Sequence, residues 1–409
     1  MKWLDSTLGE LIEKEGGVIQ TGPFGSQLHQ TDYQPEGIPV VMPKDIADGQ
    51  VSTESVARVS EETANRLARH KLKARSIVLP RRGEIRKRAF IRPEQQGWLC
   101  GTGCLKIEFL GTNIVPEFLY YFMDQGHVGQ WLEQHAVGTT MLNLSAGIVA
   151  ELPVRYPGIQ SQRKIADILS AYGDLIENNR RRMALLEKAA RLLYEEWFVR
   201  FRFPGHEHTQ TINGVPEGWN PCALDDLCHI GRGASPRPIM KFMGGEIPWF
   251  KIGDATASEN CFIFQTREHV TEVGAKNSVL LDPGALILSN SATCGVPYFT
   301  GVRGCVHDGW LHFSQLKRIS EQFLYCYLYF KREELVSSVG DGSTQKNLNT
   351  TAVGRLRLCL PCVDTLLTLF QQMTEPVFSM ARNLAQQNMA LKAARDLLLP
   401  RLMSGEIAV

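Results

Sequence analysis

The chain repeats itself at a shift of 204 residues. The segment Gly138-Thr139-Thr140-Met141-Leu142-Asn143-Leu144 returns as Gly342-Ser343-Thr344-Gln345-Lys346-Asn347-Leu348, and the same shift places residues 188–191 on residues 392–395 without a gap. Two copies of one unit in tandem form a pseudo-dimer within one chain. A pseudo-dimer suits a partner that presents two sites, and a double helix with two half-sites is the leading candidate.

Length and composition favour two globular domains. A chain of 409 residues is too long for one ordinary core and long enough for two. Its 44% hydrophobic and 21% charged residues are typical of proteins that fold. Residues 1–6 lack an apolar signal region, and no stretch of about 18 uncharged apolar residues follows, so we expect a cytoplasmic protein.

Each unit is predicted to mix strands and helices. Short β-type runs separated by Gly and Pro occupy residues 38–42, 76–79, 105–109 and 152–154 of the first unit. The second unit repeats this plan at residues 247–254 and 283–288, and a helical stretch at 116–121 returns at 320–325.

After residue 158 the hydrophobic period changes to alternating spacings of four and three, the pattern of a coiled-coil seam. The first seam consists of Tyr172, Ile176, Asn179, Met183, Leu186, Ala190, Leu193 and Trp197. The second consists of Val377, Met380, Leu384, Gln387, Leu391, Ala394 and Leu398. Asn179, with Asn383 at the equivalent position, either fixes the register of the helices or lies at a wet edge.

The sequence therefore predicts an α+β chain, in which two pseudo-repeated mixed α/β domains are separated by two long helices packed as an antiparallel coiled coil. The predicted boundaries are residues 1–158 for the first domain, 159–202 for the first helix, 203–218 for a linker, 219–361 for the second domain and 362–409 for the second helix.

Signatures of catalysis are missing from the sequence. We find no Gly-x-x-x-x-Gly-Lys-Ser/Thr phosphate loop, no Gly-x-Gly-x-x-Gly opening a βαβ unit, no His-Glu-x-x-His and no Gly-x-Ser-x-Gly elbow. Among ten cysteines, only Cys359 and Cys362 form a close zinc-type pair, and no second pair completes four ligands. We predict no catalytic residue, no metal site and no cofactor in this chain.

Positive charge is concentrated in the first unit, although the net charge is only +1. Between residues 66 and 92, many lysines and arginines face a single acidic residue, Glu84. This run is compatible with a phosphate backbone, although basic runs are often only solvated surface.

Loops at matching positions of the two units carry side chains suited to nucleic acid. Residues 21–27 match 231–237, and residues 81–88 match 289–293. The matched loops differ in chemistry, since residues 81–88 are cationic and residues 289–293 are neutral. Two domains that read different DNA sequences would differ in this way, and simple loop drift predicts the same difference. For Asn143 and Asn347 we favour a structural role. The predicted DNA-contacting residues are Thr21, Gly22, Pro23, Phe24, Gly25, Ser26, Lys44, Arg81, Arg82, Arg86, Lys87, Arg88, Thr139, Thr140, Arg232, Ser235, Arg237, Lys251, Ser289, Asn290, Ser291, Ser343, Thr344, Gln345 and Lys346.

Together these features resemble the specificity subunit of type I restriction-modification systems, over essentially the whole chain. The likeness rests on the two-unit, two-helix plan, on residues 21–26, on the paired Gly-Thr/Ser-Thr…Asn-Leu segments, and on residues 194–201 and 399–407. The resemblance implies a noncatalytic DNA reader with two target-recognition domains. Each domain would bind half of an asymmetric, interrupted site, and the helices would set the gap.

The resemblance also implies partners. Two modification subunits would dock on the long helices and methylate an adenine in each half-site with S-adenosylmethionine, and two restriction subunits would add ATP- and Mg²⁺-dependent translocation and cleavage. The residues predicted for the helix seam and partner surface are Tyr172, Ile176, Asn179, Met183, Leu186, Leu193, Trp197, Met380, Leu384, Leu391 and Leu398.

Three other interpretations stay open from the sequence. A stand-alone DNA-binding protein would use the same readers without methyltransferase partners. An enzyme, such as a nuclease with unrecognised carboxylates, belongs to a different class. A pure coiled-coil scaffold would leave the paired α/β units unexplained.

Overall fold

The structure, a computed structural model, describes residues 3–47, 49–53, 56–138, 142–291, 293–338 and 348–409. It divides into two compact units, one formed by Met1–Asp174 with Leu391–Val409 and the other by Leu175–Ala390. Each unit contains both strands and helices, as predicted. In the part of the chain that the structure describes, no helix combines the length and the apolar run that crossing a membrane requires.

In the described residues, the first unit has twelve strands and five short α-helices before the first long helix. The strands are β1 (Trp3–Thr7), β2 (Val18–Thr21), β3 (Tyr33–Gln34), β4 (Ile38–Val41), β5 (Ile46–Ala47), β6 (Gln50–Val51), β7 (Ala57–Val59), β8 (Ile77–Pro80), β9 (Ala89–Phe90), β10 (Leu99–Cys100), β11 (Cys104–Glu108) and β12 (Pro153–Pro157). The helices are α1 (Leu8–Lys14), α2 (Glu61–Arg66), α3 (Pro116–Phe122), α4 (Gly126–His135), α5 (Ala146–Ala150) and the long α6 (Ile159–Tyr194).

The second unit follows the same plan. Its strands are β13 (Thr211–Ile212), β14 (Val215–Pro216), β15 (Trp219–Ala223), β16 (His229–Arg232), β17 (Met243–Phe250), β18 (Phe262–Ile263), β19 (His269–Val270), β20 (Val279–Leu281), β21 (Leu286–Ser289), β22 (Pro297–Thr300), β23 (Gly304–Val306), β24 (Trp310–Ser314) and β25 (Arg357–Pro361). Its helices are α7 (Leu224–Leu227), α8 (Ile252–Ala257), α9 (Glu272–Lys276), α10 (Glu321–Phe330), α11 (Arg332–Ser338), α12 (Thr350–Gly354) and the long α13 (Thr365–Ser404).

Sheet topology repeats between the units. The order β2-β11-β8-β9 in the first corresponds to β16-β24-β21-β22 in the second. A second sheet of each unit contains an equivalent parallel strand pair, β10 with β4 in the first and β23 with β17 in the second, and in the second unit β18 also pairs parallel with β22. In each unit an early strand pairs antiparallel with the strand before the long helix: β1 with β12, where Trp3 lies opposite Pro157, and β15 with β25, where Trp219 lies opposite Pro361. The two units are therefore copies of one fold.

Local sequence signals explain where the short helices begin. Thr7 and Glu10 form a reciprocal capping box at α1. The side chains of Ser145 and Asn349 accept the backbone N–H groups of Ile148 and Ala352 at the equivalent helices α5 and α12, at 3.1 and 2.7 Å. Each cap satisfies a backbone donor that the first turn of a helix otherwise leaves unpaired.

Both long helices contribute to the cores. In the first unit, Ile165 and Leu169 of α6 are fully buried in the cluster that contains Leu402 of α13. In the second unit, Tyr194 packs on Phe323 of α10 and on Phe370 of α13. The large apolar area buried at these contacts makes the helices part of each fold.

The helices run antiparallel within the second unit. Near one end Tyr194 lies beside Phe370, and further along Asn179 donates from Nδ2 to Oδ1 of Asn388 at 2.9 Å. The amide of Asn388 in turn donates to the backbone oxygen of Ile176 at 3.0 Å. Asn179 and Asn388 are only 6% and 5% exposed, so a wet edge is the wrong interpretation of Asn179.

The seam of α6 is buried or half-buried as its spacing indicates. Within α6, Tyr172, Leu186 and Leu193 are half-buried, whereas Ile176 and Met183 are buried, and Trp197, just after the end of the helix, is also buried.

The predicted seam of α13 is partly wrong. Leu384 is buried, and Leu391 and Leu398 are half-buried, but Met380 is 47% exposed and Asn383 and Gln387 are exposed. The buried face is rotated because α13 packs on the domain as well as on α6. Phe378, for example, contacts the rings of Phe299 and Tyr325. A two-helix heptad does not anticipate that second contact.

Candidate nucleic-acid interface

Four separate segments meet at one end of the β2-β11-β8 sheet in the first unit. The backbone N–H of Gly22, after β2, donates to Cys104 at 2.9 Å. The N–H of Arg81, after β8, donates to the oxygen of Gly103 at 2.9 Å, and the N–H of Leu144 donates to the oxygen of Arg81 at 2.8 Å. The loop after β2, the loop after β8, the 101–103 turn and the 142–144 segment therefore form one surface, which we call the first reader.

The second unit builds the same framework from its own sequence. Gly233 donates to Trp310, Asn290 to Gly309 and Leu348 to Asn290, each backbone bond at 2.9 Å. The loop after β16, the loop after β21, the 307–309 turn and Leu348 form the second reader. Asn290 therefore occupies the backbone position that Arg81 occupies in the first reader.

Glycine is required where the loop after β2 or β16 crosses the neighbouring turn. A Cβ added at Gly22 would lie 1.9 Å from the oxygen of Gly101, and one at Gly233 would lie 2.2 Å from the oxygen of His307. Backbone at that distance leaves no space for a side chain. These two glycines hold the loops against the turns in both readers.

Arg81 is the central cation of the first reader. Its Nε donates to Oδ1 of Asn143 at 3.3 Å, and its guanidinium carbon lies 5.7 Å from the ring centroid of Phe24. Phe24 is 54% exposed and Arg81 is half-buried, so the ring of this pair faces solvent. The backbone of Asn143 also pairs with Val137, which supports the structural role favoured for this residue.

Most of the basic run in residues 66–92 is neutralised by carboxylates. Within the described residues the ion pairs are Arg66 with Asp32, Lys73 with Glu108, Arg75 with Glu117, Arg86 with Glu133, Lys87 with Glu84, and Arg88 with Asp124. The run is therefore not one continuous cationic surface. Most of the acids lie far away in sequence, so the sequence shows an excess of charge that the fold removes.

Two of the predicted contact residues in this run are engaged by the fold. Arg86 binds Glu133 through Nε and Nη2 at 2.6 and 2.5 Å, and that hydrogen bonding lowers the pKa of Glu133. Arg88 is only 9% exposed, and its Nε donates to the backbone oxygen of Tyr120 at 3.1 Å, so its side chain is not available at the surface to contact DNA. In contrast, no carboxylate pairs with Arg81 or with the exposed Arg82 in the part of the chain that is described.

The second reader is organised around Asp308. Nε of Arg232 donates to the backbone oxygen of Asp308 at 2.9 Å, and the hydroxyl of Ser235 donates to its Oδ1 at 3.0 Å. His307 lies beside it, and burial lowers the pKa of this imidazole while Asp308 opposes that shift. Arg237 is exposed two residues beyond Ser235.

Ser289 and Asn290 were predicted to contact DNA, and the structure buries both side chains. They are 0% and 1% exposed. The hydroxyl of Ser289 donates to the backbone oxygen of Thr293 at 2.5 Å, and the side-chain amide of Asn290 donates to the backbone oxygen of Asp308 at 3.0 Å. That prediction is wrong, because this loop folds back to bond the 307–309 turn. Ser291 is half-buried.

The remaining predicted contacts differ in accessibility. Gly25 and Ser26 are exposed, Thr21 is half-buried, and Gly22 and Pro23 are buried. The side chain of Lys44 is 61% exposed and lies 4.0 Å from Asp45. Lys251 pairs with Glu268 and lies 4.5 Å from the ring centroid of Trp249. Predictions for Thr139, Thr140, Ser343, Thr344, Gln345 and Lys346 fall outside the described residues.

Sequence reasoning missed the residues of the central turns. Thr102 and the pair His307-Asp308 occupy equivalent turns, and Asp308 organises one whole reader. Aligning Gly101-Thr102-Gly103 with His307-Asp308-Gly309 was the available signal, since a glycine ends each turn. Across the described ranges no group of three or more His, Cys, Asp or Glu side chains is arranged to hold a metal ion, and the ten cysteines are free thiols.

Two equivalent loop surfaces on one repeated framework, each followed by a long paired helix, define a chain with two readers. Comparison with known proteins agrees. The sequence matches the family described as "Type I restriction modification DNA specificity domain" over residues 1–188 and 216–373. The chain belongs to this family.

Individual relatives support the assignment. The chain is 28% identical to the type I restriction enzyme MjaIX specificity subunit of Methanocaldococcus jannaschii, with 73% of this chain and 70% of the relative covered. It is 23% identical to the type I restriction enzyme HindI specificity subunit of Haemophilus influenzae, with 78% and 83% covered. The crystal structure of a type I restriction-modification S subunit from M. genitalium has the same fold, with a TM-score of 0.60, 14% identity and 98% and 96% of the chains covered.

Proposed function

We propose that this chain is the DNA specificity subunit of a type I restriction-modification complex, in which each reader recognises one half of an interrupted site. The repeated framework carries this proposal. The same backbone hydrogen bonds hold both readers, but the first presents Arg81 and Arg82 after β8, whereas the second presents Arg232 and Arg237 at and beyond the end of β16, so one scaffold carries two different sets of side chains. Sequence is read at base edges, and different half-sites require different side chains.

The chemical steps are proposed to belong to partner chains. Two modification subunits would methylate one adenine in each half-site with S-adenosylmethionine, and two restriction subunits would use ATP and Mg²⁺ for translocation and cleavage. This chain would bind DNA without acting on it. The specificity-subunit names of the curated relatives support this division of labour.

The two long helices are proposed to set the gap between the half-sites and to offer the docking surface for the modification subunits. Helix α6 alone spans 36 residues, which corresponds to about 50 Å at about 1.5 Å per residue. Its antiparallel contact with α13 through Asn179 and Asn388 would keep that length constant.

Co-expression with a type I modification subunit from the same genome tests the proposal, with N6-methyladenine mapped across the host DNA by long-read sequencing. We expect one new interrupted motif. Exchanging residues 1–158 for the corresponding part of another family member should change one half of the motif only, and exchanging residues 219–361 should change the other half.

No new methylation, together with failure of the two proteins to co-purify, would favour a stand-alone DNA-binding protein. Cleavage or methylation by the isolated chain with Mg²⁺, ATP and S-adenosylmethionine would instead show an enzyme.

A further inference from the structure

We propose that each reader recognises a guanine through one arginine whose Nε the protein itself holds: Arg81 in the first reader and Arg232 in the second. This inference rests on the proposed function and adds to it the side chain and the base. The other cations of the readers are not assigned to a base.

Arg81 is held on two sides. Asn143 accepts from its Nε at 3.3 Å, and the exposed ring of Phe24 lies against its guanidinium carbon at 5.7 Å. Within the described residues its two terminal nitrogens have no hydrogen-bond partner, and no carboxylate neutralises it. The guanidinium plane is therefore set before DNA arrives, while the outer edge of the fork stays available.

Arg232 reaches the same state by a different route. Its Nε donates to the backbone oxygen of Asp308 at 2.9 Å, while the carboxylate of Asp308 accepts the hydroxyl of Ser235 at 3.0 Å. In the described part of the second reader, no partner is assigned to the terminal nitrogens of Arg232. The backbone oxygen of Asp308 thus positions Arg232, whereas the carboxylate of Asp308 binds Ser235.

Other arginines of the first unit show the contrast. Arg75 gives Nε and Nη2 to Glu117 at 2.7 and 2.6 Å, and Arg86 gives the same two atoms to Glu133. Their forks are used inside the protein. Two terminal nitrogens on a fixed plane match the O6 and N7 acceptors of guanine, which is the commonest specific contact that arginine makes in the major groove.

The equivalence of the readers favours a base over a phosphate. Phosphates have the same chemistry at every half-site, so a phosphate contact at an equivalent backbone position should recur. At the position of Arg81 the second reader has the buried Asn290, whose amide is already bound to Asp308. Cationic contacts that differ between equivalent positions are expected of residues that read sequence.

The substrate provides the sharpest test, because it leaves the protein unchanged. Once the motif is mapped, each guanine is replaced in turn by 7-deazaguanine, which lacks the N7 acceptor, and methylation by the wild-type complex is measured. One guanine in each half-site should be sensitive, with a loss of about 10- to 100-fold. R81A should be insensitive to the substitution in the first half-site only, and R232A in the second only.

Methylome mapping of the variants gives an independent readout. R81A and R81K should accept any base pair at one G·C position of one half-site while the other half-site is unchanged, since lysine keeps the charge but loses the fork. R82A is the matched control, and it should lower methylation without changing the motif. If R81A does not assemble, R81K and the 7-deazaguanine series still decide.

Three results would overturn the inference: an unchanged motif in R81K and R232A, relaxation at an A·T pair, or a wild-type complex indifferent to every 7-deazaguanine. A wild-type complex that produces no motif at all would contradict the proposed function instead, so the two failures are distinguishable.

Discussion

The buried amide pair between the long helices gives the sharpest stability prediction. N388A removes the acceptor of Asn179 and the donor to Ile176, two hydrogen bonds of 2.9 and 3.0 Å. It also leaves the amide of Asn179 at 6% exposure without its partner. A buried donor without a partner costs about 1–3 kcal/mol, and a second lost hydrogen bond adds about 1 kcal/mol. We expect the second unit to lose roughly 2–4 kcal/mol of unfolding free energy.

Urea denaturation followed by tryptophan fluorescence measures this change, with an unchanged slope showing that the native state stays compact. N383A is the matched control, because Asn383 is exposed on the same helix, and it should stay within about 0.5 kcal/mol of wild type. N179L combined with N388L should recover most of the loss, since replacing both partners by apolar groups removes the unpaired amide.

Equal, small effects of N388A and N383A would refute the reasoning, because they would mean that water replaces the lost partner. The double leucine variant also tests whether the pair specifies register. If it does, the methylated motif should acquire more than one gap length even where stability is regained.

Four further outcomes are expected. Inserting one heptad into both long helices adds about 10 Å of helix, so the gap between the half-sites should lengthen by about three base pairs while the half-sites stay unchanged. An unaltered gap would show that the helices do not set the spacing. R82A should reduce the slope of log affinity against log salt by about 1, whereas R86A, whose charge Glu133 neutralises, should leave it nearly constant. Burial lowers the pKa of His70 from 6.5 to about 4, so the unfolded chain binds the proton more readily. The first unit should therefore lose about 1–2 kcal/mol, after allowing for solvent screening, as pH falls from 6.5 towards 4, and H70Q should remove this dependence. G22A should lower the unfolding midpoint of the first unit, whereas G25A, with no atom within 4 Å of the added Cβ, should not.

The sequence was informative where one physical period dominates. The spacing of Ile176, Asn179 and Met183 predicts a buried stripe on α6, and these residues are buried. On α13 the same reasoning misplaced Met380, because Phe378 packs on aromatic rings of the domain and turns the buried face towards them. Hydrophobic periodicity predicts the buried face of a helix well when the helix packs on one partner, and poorly when it packs on two.

The readers were harder to predict because their chemistry depends on contacts between distant residues. Arg86 and Glu133 are far apart in sequence, yet their bidentate pair removes Arg86 from the candidate surface. Asn290 follows a strand just as Arg81 does, but its amide is used inside the fold. Composition counts charges, and only the tertiary structure shows which of them are already paired.

Framework and readout are separable in this fold, and that separation has a consequence for exchanging sequence specificity. The framework consists of backbone contacts. Gly22 and Gly233 hold the loops after β2 and β16 against the central turns. The carbonyl oxygens of Gly103 and Gly309 accept hydrogen bonds from the first residues of the loops that follow β8 and β21. A side chain can therefore change in one reader without disturbing these bonds, provided that its own anchor changes with it. A graft of arginine alone onto the position of Asn290 would remove the amide that binds the backbone oxygen of Asp308, the same oxygen that holds Nε of Arg232. Transfer of specificity should succeed when the loop after the strand and the central turn that it bonds move together, and it should fail when the loop moves alone.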